Sequence, residues 1–192
     1  MFKKLFFASV MCFVFLFVVS SANASVEGSW VVNSRAKDKL TIEGRSKVLS
    51  SNVAEELTFS PNGDFTDYSE GIYITGTWKE KKNNFTVLFD MTAYGALLES
   101  AFASDGIYAT VTVTELIATG TVGRNTIRGR STLKAQIFFP YSGLQGTYTG
   151  TANFAGARTA VSGDESGGSE VSESLKAAVR ELVAKSLSSL GR

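Results

Sequence analysis

Thr126-Ile127-Arg128-Gly129-Arg130-Ser131-Thr132-Leu133-Lys134-Ala135-Gln136-Ile137-Phe138-Phe139 divides its side chains into two columns. Ile127, Gly129, Ser131, Leu133, Ala135 and Ile137 share one. Arg128, Arg130, Thr132, Lys134 and Gln136 share the other. Successive side chains of a strand point to opposite faces, so a period of two over a dozen residues specifies a strand with one dry and one wet side. The two arginines are therefore expected on the exterior.

The same grammar extends in both directions from this stretch. Downstream, Gly146 to Arg158 reads as a last strand; upstream, Ile107 to Ile117 reads as another. Leu57-Thr58-Phe59 and Phe65-Thr66-Asp67-Tyr68 flank Pro61-Asn62-Gly63-Asp64, a turn sequence that tolerates the positive φ of a tight hairpin. Gly71 to Lys79 and Asn84 to Met91 form a further pair across Glu80-Lys81-Lys82-Asn83. Eight to ten strands in meander order close most simply into an antiparallel up-and-down β-barrel, which leaves no edge strand. The expected class is mainly β, with the barrel over residues 25–160.

Two segments break the alternation. Thr92 to Asp105 is apolar and helix-like, placed between two strands as a plug or a lid over one barrel end. Val161 to Ser169, rich in Ser and Gly, reads as a flexible linker. Beyond it, residues 170–190 form an amphipathic helix with Val171, Leu175, Ala178, Val179, Leu182, Val183, Leu187 and Leu190 on one stripe. An isolated helix of this length is marginal in water, so the stripe needs a cover. Its own barrel and a partner or second subunit both qualify, and a barrel joined to it by such a linker should fold without it.

The start of the chain carries a different signal. Met1-Phe2-Lys3-Lys4 is basic, Leu5 to Val19 is nearly unbroken Leu, Phe and Val, and Ala22-Asn23-Ala24 ends in small residues. That is the layout of a secretory signal peptide over residues 1–24, too short in its apolar part for a membrane span. The expectation is a periplasmic or secreted protein beginning at Ser25. Cleavage removes Cys12, the single cysteine, so no disulfide is available to the exported domain. It also removes Lys3 and Lys4, taking the 19 basic residues to 17 against 18 acidic ones. A near-neutral chain has no field to gather nucleic acid.

Histidine is absent. With no mature cysteine either, the usual nucleophile–base pairs and metal ligand sets are missing, so neither catalysis, a metal nor a cofactor is expected. Carboxylate-only chemistry of the glycosidase kind stays open in principle. The acidic residues (Asp64, Asp67, Glu70, Glu80) read as solvation of turns and polar strand faces.

Gly28-Ser29-Trp30 heads the first strand, and Arg158 follows the last, after Asn153-Phe154-Ala155-Gly156-Ala157. In these features, and in Leu57 to Thr66 followed by Gly76-Thr77-Trp78-Lys79, the chain resembles the lipocalins and their calycin relatives, bacterial lipocalin-like domains above all. The family's middle T-D-Y motif has no counterpart here. The resemblance implies a barrel closed by Arg158 stacked across Trp30, and a small lipid-like molecule bound in the lumen. Phe59, Trp78, Phe85, Val87 and Phe89 are the expected ligand lining. The alternative is a barrel filled by those same rings, working as an interaction module through its C-terminal helix.

Overall fold

The computed structural model describes residues 24–69, 72–104, 106–159 and 170–189. The proposed signal peptide with Cys12, the linker, Glu70 and Asp105 lie outside the described residues, Ala24 excepted. Eight strands form one closed antiparallel barrel in sequence order. They are β1 (Gly28–Ile42), β2 (Arg45–Phe59), β3 (Asp64–Ser69), β4 (Ile72–Lys81), β5 (Asn84–Phe89), β6 (Thr110–Val122), β7 (Thr126–Phe139) and β8 (Leu144–Arg158). Pairing of β1 with β8, from Trp30 opposite Arg158 to Ile42 opposite Gly146, closes the wall.

Local chemistry sets the register. β1 and β2 are joined by the two residues Glu43 and Gly44, both at positive φ (47° and 75°), with Ile42 paired to Arg45. This is the primed turn whose twist suits a hairpin, and glycine takes its second position without strain. In β6 a bulge between Val113 and Glu115 shifts the inward parity, so that Val111 and then Leu116, Ala118 and Val122 are buried. β7 presents the two columns read from its sequence, with Arg128 and Arg130 exposed.

Unequal strand lengths give the barrel two different ends. β1, β2 and β8 run 15 residues each, whereas β3 and β5 run only 6. At the Trp30 end the wall is complete. At the other end it stops short over β3–β5, and two helices fill the gap. Helix α1 (Met91–Ala103) starts where β5 stops, capped by Asp90, whose carboxylate accepts from the amides of Thr92 and Ala93 at 3.0 Å each. Glu99 ties it to β6 by accepting from the Val111 amide at 2.7 Å.

Helix α2 (Glu170–Ser189) completes the cover. Its Leu175, Ala178, Val179 and Leu182 are buried in one cluster with Leu98 and Phe102 of α1 and with Leu40, Ile42, Ile137, Phe139 and Leu144 of the barrel. Lys47 of β2 and Lys185 both pair with Glu181. Hydrogen bonds from Lys185 and Lys47 hold the Glu181 carboxyl down at about 2. The described part of the apolar stripe, from Leu175 to Leu187, thus packs on the chain's own barrel and first helix. The linker's composition led to an expectation of few contacts between helix and barrel, whereas the helix supplies core to a barrel end that the strands leave open.

Candidate functional site

Phe59, Phe85 and Val87 lie buried at the Trp30 end, in a cluster with Leu57, Phe65, Ile127 and Phe154 and with Trp78 packed against it. Phe59 meets Phe65, Trp78 and Phe85 edge to face at centroid distances of 5.0, 5.7 and 5.3 Å. The space left among them is about 50 Å³, enough for a water or two. Of the five residues expected to line a ligand chamber, Phe59, Phe85, Val87 and Phe89 border this small space, and Trp78 packs against the cluster. Trp78 is anchored to the β2–β3 turn by Nε1 donating to Ser60 O at 2.9 Å. Phe89, from the top of β5, is the one of the five that reaches the next chamber.

Below these rings, the Trp30 ring is completely buried and its Nε1 donates to Val26 O at 2.7 Å. The Arg158 guanidinium lies 4.4 Å from the Trp30 centroid, and it also donates to Glu27 O at 2.6 Å and to Ser25 O. It straps the N-terminal segment across the barrel floor. Replacing Arg158 with Ala should cost about 1–2 kcal/mol through lost stacking and stem packing, read as a lower midpoint in urea with unchanged slope.

Open space lies in the middle of the barrel and under the helices. An inner chamber of about 160 Å³ is lined by polar residues, among them Ser34, Asp38, Ser51, Glu55, Asp67, Ser131, Tyr94 and Tyr148, and by apolar ones, among them Val53, Ile74, Phe89, Leu116 and Leu133. Beyond it, an outer chamber of about 180 Å³ is walled by Ile72, Ile74, Leu97, Leu98, Phe102 and Leu175, with Lys176 at its edge. The two abut: Val53, Glu55, Asp67, Ile74, Tyr94 and Tyr148 border both.

The three carboxylates come from neighbouring strands, each in phase with an apolar face. Asp38 follows Trp30, Val32, Ser34 and Ala36 along β1, and Glu55 precedes Leu57 and Phe59 along β2. Asp67 follows Phe65 along β3. The alternation carried this signal, but reading Asp67 as solvation missed it; the residue is only 8 % exposed. Gly150 of β8 makes room for Asp38, since a Cβ there would collide with its Oδ1. Ser34 donates to Glu55. Asp67 Oδ1 and Ser51 Oγ have no hydrogen-bond partner. No group of three or more Asp, Glu, His or Cys among the described residues is arranged to hold a metal ion.

Burial pushes the Asp67 carboxyl well above the usual carboxylate range, and the negative Glu55 adds to the rise. Burial also raises Asp38, while its hydrogen bond with Tyr148 lowers it in part. The Tyr94 hydroxyl is raised by burial and by Asp38, Asp67 and Glu55 together, so all three carboxylates act on one point. The linkage has a definite sign. A carboxyl that holds its proton more tightly when folded contributes stability that is complete below the unfolded pKa of ~4. That contribution is lost as pH climbs through the folded value. Asp67→Asn should accordingly flatten the decline in stability between pH 5 and pH 8. At the upper pH it should raise stability by about 1–3 kcal/mol, the scale of an unsatisfied buried polar group. Urea melts of both proteins at the two pH values check it; a variant less stable than the parent at pH 8 overturns it.

No family model matches the chain, and no curated protein matches its sequence. Among solved structures it is similar to that described as "Crystal structure of ywiB protein from Bacillus subtilis". The two share 10% identity over 72% of this chain and 98% of the other, with a TM-score of 0.32.

Proposed function

We propose that this chain is an exported, lipocalin-like barrel that binds a small lipid-like molecule in its lumen and performs no catalysis. The observation that carries this reading is the outer chamber. Its Ile, Leu and Phe walls remain open beneath two helices while the opposite end of the same barrel is packed tight. A core that packs one end to closeness and leaves apolar space at the other matches the general form of a small-molecule site. Burial of an apolar ligand there is worth about 25 cal/mol per Å². The Gly28-Ser29-Trp30 and Arg158 arrangement and the signal-like N-terminus support the lipocalin-like and exported parts of the reading.

The filled-barrel alternative needs the C-terminal helix to offer its stripe to a partner, and that stripe already faces the core. A panel of fatty acids and hydrophobic dyes tests the lumen by thermal shift, which suits this site better than Trp78 emission because Trp78 sits at the packed end. A ligand at a hundred times its Kd should add about 2.7 kcal/mol, and Ile74→Trp, which fills the outer chamber, should abolish the gain. A panel that moves no melting temperature sinks the binding reading. Intact-mass analysis of exported protein should show a chain beginning at Ser25.

A further inference from the structure

We propose that the ligand of this barrel is an apolar primary amine, its ammonium group held in the inner chamber by Asp67, Asp38 and Glu55 and its hydrocarbon part in the outer chamber. The inference rests on the lumen-binding reading above and names the chemical class that reading leaves open. It starts from Asp67, a nearly fully buried carboxyl whose Oδ1 faces the chamber with no donor. Buried carboxylates are stable when paired or hydrogen-bonded, so a ligand that brings donors into this chamber would satisfy Asp67.

The rest of the wall specifies what that donor is. Among the described residues no Lys or Arg lines the inner chamber; Lys176 lines the outer one. The inner chamber therefore offers acceptors, led by the Asp67 Oδ1 and with the Asp38 and Glu55 carboxyls beside it, and the hydroxyls of Ser34, Ser51, Ser131, Tyr94 and Tyr148 around them. An ammonium carries three donors and no acceptor, so it satisfies such a wall without adding an unmet group of its own. A carboxylate ligand would add negative charge to negative charge. A quaternary ammonium would bring charge but no donor for Asp67. Asp38 lines only the inner chamber, whereas Ile72, Leu97, Leu98, Phe102 and Leu175 line only the outer one, which orients the molecule head inward.

Calorimetry at pH 7.5 with n-octylamine, n-octanol, octanoate and octyltrimethylammonium on the intact mature protein tests this. The amine should bind one to one and at least ~10-fold tighter than the alcohol, a difference of about 1.4 kcal/mol. Octanoate should bind weakest, and the quaternary ion should fall below the primary amine. Asp67→Asn should weaken the amine ~10-fold while changing the alcohol less than twofold. Should that variant misfold, the ranking of the four compounds on the parent protein still decides. Alcohol binding equal to or tighter than amine binding overturns the ammonium assignment and leaves the apolar lumen standing; binding by none of the four overturns both.

Discussion

A chain ending at Val161 should lose cooperative folding, although it retains every strand. The missing segment buries Leu175, Val179 and Leu182, with Ala178, in the core of the helix end. At about 1.5–3 kcal/mol for each large side chain, the loss is on the order of 5 kcal/mol or more. Newly exposed Leu98, Phe102 and Ile137 add to it. That is comparable with the whole stability of a typical domain, about 5–15 kcal/mol. The truncated protein should keep β-type circular dichroism only in part, melt without a sharp transition and bind a hydrophobic dye that the full chain excludes. A truncated barrel that melts cooperatively within a few degrees of the parent would show that α2 merely rests on the surface.

Trp30→Ala attacks the other end. The indole is completely buried and satisfied by Val26 O, and Arg158 covers one face. Its removal leaves a cavity that Val32, Val122 and Ile127, held on rigid strands, are poorly placed to collapse into. Such a truncation costs about 3–5 kcal/mol, or roughly 10 °C in melting temperature for a chain of this size. Trp30→Phe should cost less, since it keeps most of the ring but leaves Val26 O without its donor. Equal losses for the two substitutions, measured in urea, would mean that the hydrogen bond rather than the packing governs this position.

Both expectations lean on features that differ in how far the sequence disclosed them. The alternation of β7 and the helical stripe of residues 170–190 were legible locally, because strand and helix periods are properties of the backbone; the meeting of Trp30 and Arg158 at one barrel end came instead from the family resemblance. The Glu43–Gly44 turn was weaker, since Glu-Gly lacks the asparagine or aspartate that usually marks a primed turn.

What the sequence by itself determined is therefore the class: a mainly β, antiparallel barrel followed by an amphipathic helix with a stripe in need of cover. The tertiary structure alone decided where that cover is and which end of the barrel stays open. Both follow from β3 and β5 being short beside 15-residue neighbours, a mismatch that matters only once the strands stand side by side. The chamber of Asp38, Glu55 and Asp67 lies between these cases. Each carboxyl was in phase with an apolar face, but their meeting depends on three strands curling around one axis. Only closure brings carboxyls from β1, β2 and β3 around one chamber, where burial raises the pKa of Asp38 and Asp67.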